Sequence, residues 1–177
     1  RPKRRWAVLN NSITTEIDRL KNRYGTSNPY ELIDALNIHL IWKRGIGKLK
    51  GFYYVAMRER YIVINDALHA RDKLLVAGHE LGHDRLHQRL AKVAPLKDFM
   101  LYDMTSRAEY EANVFASELL IEDEAIEECI AEEMDYFQMC STIGFKPQLV
   151  TFKLYGMMQR GYPISLPEPP NSSFLRK

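Results

Sequence analysis

The stretch from Leu74 to His87, LLVAGHELGHDRLH, constrains the fold of this chain more than any other. Inside it His79, Glu80 and His83 read His-Glu-x-x-His. On a helix, residues four apart lie ~40° round the axis and ~6 Å along it, so two imidazoles at that spacing can face one point. Two neutral imidazoles facing one point are a grip for a metal ion, and a carboxylate one residue after the first stands beside such an ion without ligating it. The segment therefore has to be a helix, and another part of the chain has to complete the grip. Leu74, Leu75, Val76, Leu81 and Leu86 supply apolar positions around the motif, no proline interrupts it, and Gly78 and Gly82 mark places where another element can approach closely. The helix is expected to begin after Asn65 or Asp66 and to run through about Gln88, with Pro95 in the loop that follows.

Neutral imidazole suits Zn²⁺, which lowers the pKa of a water it binds to ~7 and polarises a carbonyl. Glu80 is then the candidate general base, taking a proton from the attacking water and passing it to the leaving amine. A catalytic zinc takes three protein ligands, so one more is needed beyond His79 and His83. The long metzincin pattern would require glycine at 86 and histidine at 89, where this chain has Leu86 and Arg89. The other common choice is a carboxylate on a later helix, and Ser106 to Ile121, SRAEYEANVFASELLI, offers Glu109 and Glu111. Glu109 shares a helix face with the small residues Ala112, Asn113 and Ala116, which would let two helices come close, whereas Glu111 shares its face with Val114 and Glu118. Ser106-x-x-Glu109 is also a capping box, in which Glu109 would serve only the helix start. Spacing favours Glu109 and leaves Glu111 open. His87 falls ~12 Å along the axis from His79, too far to share its metal, and reads as a packing or ligand-orienting histidine.

The rest of the chain reads as support for this helix. With 177 residues and 46% hydrophobic content, one sizeable core in one compact domain is expected. A net charge of +2 makes no case for a dedicated nucleic-acid binder. Arg1, Lys3, Arg4 and Arg5 suggest a basic flexible arm over residues 1–11, and the acidic run from Glu122 to Asp135 suggests a solvated helix face. From Ser12, Ile13, Ile17, Leu20 and Tyr24 recur at helical spacing up to Gly25, and Asn28-Pro29-Tyr30-Glu31 opens a short helix through Leu36. Ile38 to Trp42 is strand-like, and Phe52 to Met57 and Tyr61 to Asn65 read as a hairpin across Arg58-Glu59-Arg60. Ile126, Ile130 and Met134, then Phe137 to Ile143, then Lys146-Pro147 through Gln159 mark trailing helices from about residue 124, and residues 161–177 form a proline-rich tail. Cys129 and Cys140 form no Cys-x-x-Cys pair, and neither a signal peptide nor a long apolar span is visible, so a reduced cytoplasm and no membrane are expected.

HELGHDRLH together with EYEANVFASELLI, preceded by the Gly-Phe-Tyr-Tyr and YIVIND strands, resembles the ImmA/IrrE family of zinc metallopeptidases over roughly residues 12–160. In that family the third ligand is a Glu four residues before the helix Asn, which here is Glu109 ahead of Asn113. The usual Pro after the Leu-Leu stretch is Glu122, a departure at the helix end and away from the metal site. The resemblance implies a cytoplasmic endopeptidase of a prophage, mobile element or stress regulon that cleaves a helix-turn-helix repressor and so relieves repression.

The expected fold is α+β and zincin-like, helices packed around a small sheet, with the His-Glu-x-x-His motif on a central helix and a helical C-terminal part. Expected site residues are His79, His83 and Glu109 on the metal and Glu80 as catalytic base, with Zn²⁺ as the ion and Mn²⁺ or Fe²⁺ as alternatives. Tyr53, Tyr54, Tyr102 and Tyr110 are candidates to stabilise an oxyanion. The alternative reading is a non-catalytic, metal-stabilised module that binds a repressor or toxin partner. A DNA-binding regulator would rest on the basic arm and on the Ile143-Gly-Phe-Lys-Pro turn, whose following helix carries few cations.

Overall fold

The computed structural model describes residues 2–98 and 106–165, and side chains from Asn10 to Leu96 and from Ser106 to Ser165. Among them the order is α1 (Pro2–Tyr24), α2 (Pro29–Ala35), β1 (His39–Lys43), β2 (Gly51–Ala56), β3 (Glu59–Asn65), α3 (Ala70–Leu86), α4 (Gln88–Ala91), β4 (Leu96–Asp98), α5 (Arg107–Leu120), α6 (Asp123–Ala131), α7 (Tyr136–Ile143) and α8 (Pro147–Gln159). The architecture is α+β, as expected.

Helix α1 buries Ile13, Ile17 and Leu20 and ends at Gly25, whose φ of +69° L-residues rarely adopt. It reaches back to Pro2, so the flexible arm expected over residues 1–11 is corrected to helical backbone from Pro2 onward. The reason is legible afterwards: proline is accommodated at the first helical position, and no breaker stands between it and Ser12. Asn28 caps α2 by accepting a hydrogen bond from the Tyr30 N–H at 3.0 Å.

The described sheet has strand order β1-β3-β2-β4, with β1 parallel to β3 and the other pairs antiparallel. The β2–β3 hairpin turns at Met57 and Arg58, both at positive φ, the two-residue geometry whose twist matches the strands. Glu59 and Arg60 thereby belong to β3 and not to a three-residue connection. Strand β4 falls where only a loop after Pro95 was expected; it pairs with β2 through Leu96 opposite Tyr53.

Helix α3 runs between the sheet and α5. Every residue from Leu75 to Asp84 is buried, so it has no solvent stripe and forms the middle layer. It starts at Ala70, later than expected, because Asn65 and Asp66 make the turn out of β3: Asn65 Oδ1 accepts from Ala67 N and Asp66 takes Lys73. Gly82 lets α5 approach, while at Gly78 the α5 backbone lies at ordinary contact distance. A Cβ on Gly82 would lie 3.2 Å from Ala112 Cα, and one on Gly78 would lie 3.7 Å from Ala116 Cα. One core cluster joins α1, α2, the sheet, α3 and α5; a second, with Leu75, Ala116, Ile126, Cys129, Leu149 and Leu154, seats α6 to α8 against α3 and α5. The tail beyond Ser165 lies outside the described residues.

Candidate metal centre

One turn of α3 separates His79 from His83, and their Nε2 atoms converge to 3.1 Å. Ser106 caps α5 by accepting from the Glu109 N–H at 3.2 Å, but the Glu109 carboxylate does not close a box back onto Ser106. It turns to the imidazoles, with Oε2 3.1 Å from His79 Nε2 and Oε1 3.5 Å from His83 Nε2. The donor atoms of His79, His83 and Glu109 all lie within 4.8 Å of one another. Of the two carboxylates left open by spacing, Glu109 therefore faces the histidine pair. Glu111 points away from it, to His87 Nε2 at 2.9 Å.

The protonation states suit a cation. Burial holds the His83 imidazole down at about 4, against the opposing pull of the Glu109 carboxylate, so the ring is neutral near pH 7. Burial pushes Glu109 up, but its contacts with the His79 and His83 rings outweigh it and hold the carboxyl well below its usual range. His79 Nδ1 lies 3.0 Å from Asn113 Oδ1, an acceptor, which puts its proton there and leaves the Nε2 lone pair facing Glu109 and His83. Two imidazole nitrogens and one carboxylate oxygen at this spacing are a borderline donor set that fits Zn²⁺.

Glu80 is fully buried on the sheet side of α3. Its Oε1 would lie 3.1 Å from a Cβ placed on Gly51, so the glycine at the start of β2 makes the room this carboxylate occupies. The tyrosines are placed otherwise than the sequence reading entertained. Tyr53 is buried on the inner face of β2 and donates to Asp84 Oδ1 at 2.9 Å; burial, with the Asp84 charge, pushes its pKa far up. Tyr54 points to the opposite face, stacked on Tyr61 at 4.8 Å between centroids. Tyr110 lies in the core against Phe152. Tyr102 lies outside the described residues. Sequence reasoning missed two arrangements next to the histidines: Asp84, buried and held by Tyr53 and Arg60, and Glu111 as the partner of His87, whose ring meets His83 as a packing or ligand-orienting histidine would.

A family model described as the IrrE N-terminal-like domain, peptidase M78, matches residues 34–143. The chain belongs to that family. The matched span runs from α2 to the end of α7 and includes every residue of the cluster. Immunity region protein 2 of Bacillus phage phi105 is 41% identical over 111 residues, covering 63% of this chain and 69% of that protein. Metallopeptidase ImmA of Bacillus subtilis strain 168 is 28% identical over 120 residues, covering 67% of this chain and 68% of that protein. No solved structure matches the chain. As an ImmA/IrrE-family protein with a His-His-carboxylate cluster, the chain is a metallopeptidase. No helix among the described residues is long and apolar enough to cross a membrane.

Proposed function

We propose that the chain is a cytoplasmic zinc-dependent endopeptidase that hydrolyses one peptide bond in a helix-turn-helix transcriptional repressor, relieving repression of a phage, mobile element or stress regulon. The observation that carries the chemistry is the convergence of His79, His83 and Glu109 within 4.8 Å on two helices, with an outer hydrogen-bond partner on the Nδ1 of each imidazole. A Zn²⁺ ion held by these three residues supplies Lewis acidity to the scissile carbonyl and acidifies water. Glu80 takes the proton of the attacking water as the new C–O bond forms, and returns it to the amine nitrogen as the C–N bond breaks. As metal ligands His79 and His83 would be neutral and Glu109 ionised. The repressor substrate is supported by the family's resemblance and by the immunity-region name of the phage relative.

The test is incubation of the zinc-loaded protein with candidate helix-turn-helix repressors from the same genome, with fragments followed by mass spectrometry. One specific cut is expected, lost in Glu80→Gln while that variant still binds zinc. Removing a general base is expected to lower turnover by about 10²–10⁴-fold. Tight binding of the repressor by the zinc-loaded protein without any cut would replace this reading by the non-catalytic module.

A further inference from the structure

His83 can offer its Nε2 lone pair to a metal only if its ring proton sits on Nδ1. That nitrogen lies 3.0 Å from His87 Nδ1, and of two ring nitrogens at this distance one has to donate and the other accept. The direction is set from the far end. Glu111 Oε2 lies 2.9 Å from His87 Nε2, and Arg107 Nε donates to the other oxygen, Oε1. An ionised carboxylate only accepts, so His87 carries its proton on Nε2. With its proton on Nε2, His87 can accept at Nδ1, where it takes the Nδ1–H of His83 and leaves His83 Nε2 bare toward Glu109. The carboxylate at one end and a metal at the other thus require the same tautomers of His83 and His87.

The backbone adds an independent observation. Helix α3 stops at Leu86 and α4 starts at Gln88, with His87 between them at φ −128° and ψ 19°. Neither proline nor glycine stands at this break, and the His87 side chain does not cap α4. Its ring instead lies 5.2 Å from that of His83, 7% of the residue exposed, with one nitrogen on each partner.

We propose that Arg107, Glu111 and His87 form a positioning chain that fixes the tautomer and aim of His83, so that α5 orients a ligand on α3 as well as supplying Glu109. The proposal rests on the metallopeptidase reading above. His79 is held in one step by the neutral amide of Asn113, whereas His83 is held through an imidazole backed by a charge. The two ligands therefore answer to different substitutions.

The experiment measures zinc affinity by competition with a chromogenic chelator for the parent, His87→Phe and His87→Asn, with a thermal melt of each. Long-range ¹H–¹⁵N spectra of the parent identify which ring nitrogens carry protons. His87→Phe keeps the ring's bulk and removes the acceptor, and is expected to weaken zinc binding by about 10–100-fold with a cooperative melt retained. The Asn side-chain oxygen can stand near the place of Nδ1, so His87→Asn is expected to recover most of that loss. The spectra are expected to show His87 protonated on Nε2 alone. A folded His87→Phe protein that binds zinc as tightly as the parent overturns the proposal, and so does a parent His87 protonated on Nδ1, whichever variants fold. Should His83→Ala bind zinc as tightly as the parent, the cluster is not the metal site and the metallopeptidase reading falls. The spectra of the parent would still report on the hydrogen-bond chain by itself.

Discussion

A methyl group added at position 51 would have no space. Its carbon would stand 2.5 Å from Val76 Cγ1, 3.0 Å from the Val63 carbonyl oxygen and 3.1 Å from Glu80 Oε1, so the strand, the helix or the carboxylate has to move. Gly51→Ala is expected to cost about 1–3 kcal/mol in urea unfolding, as overpacking does, and to lower peptidase activity further than that loss explains because Glu80 is displaced. An unchanged turnover in a folded Gly51→Ala protein would show that Glu80 does not depend on this space. The residues of the cluster differ in how far they could be read beforehand. His79, Glu80 and His83 follow from a local helical spacing. Glu109 needed a partner helix, and spacing could only rank it above Glu111, because which carboxylate faces α3 depends on how α5 is rotated against it. Helical spacing kept His87 off the metal and gave it a packing or ligand-orienting place, but its partner Glu111 was not legible, since that depends on a helix break with no breaker residue in it and on the rotation of α5. Tyr53 and Tyr54 were separable in principle, because neighbours on a strand face opposite sides.

At the level of elements, the site depends on how closely α5 lies against α3. The two glycines on α3 make different predictions. A Cβ on Gly82 would stand 3.1 Å from Phe115 Cβ and 3.2 Å from Ala112 Cα, atoms fixed to the backbone of α5. Gly82→Ala is expected to push the helices apart, carry Glu109 away from the histidines and weaken zinc binding about tenfold or more in the chelator competition, because ligand geometry tolerates little displacement. At Gly78 the nearest atom would be Leu120 Cδ1 at 3.3 Å, the end of a flexible side chain. Gly78→Ala is expected to be neutral or to stabilise by up to about 1 kcal/mol through helix propensity, with zinc affinity unchanged. Equal effects at the two positions would remove helix approach as the cause. The sequence showed both glycines and the facing Ala112 and Ala116, so the pairing of α3 with α5 was legible. Strand β4 was not: Leu96-Lys97-Asp98 is too short to display alternation, and its partner β2 lies more than forty residues back in the chain.

At the scale of the whole molecule, α6 and α8 are tied to α5 by charge as well as by apolar packing. Lys153, 2% exposed, reaches Glu118 at 2.7 Å and also contacts Asp123, and Arg160 bonds Glu118 and Asp123 at 2.6 and 2.7 Å. Four charges, on α5, on α6, on α8 and at the residue that ends α8, thus stand together, which is how buried ions are tolerated. The acids of α6 are otherwise exposed, as a solvated face was expected to be; Asp123 is the one that turns inward, and only the packing of α8 reveals it. Burial pushes the Asp123 carboxyl up, but Lys153 and Arg160 outweigh it and hold it below its ordinary 3.8. A carboxyl with a depressed folded pKa contributes stability that is present above its unfolded value and lost as pH falls through the folded one. The parent and Asp123→Asn should therefore differ in urea midpoint by a constant amount from pH 7 down to about pH 5, the parent being more stable, and the gap should close as pH falls below 3.8. A gap that stays the same through the acid range would mean that Asp123 acts by shape and hydrogen bonding alone. Zinc is to be left out of these titrations, because acid also releases a metal by protonating its histidines, and that loss would be superimposed on the one sought.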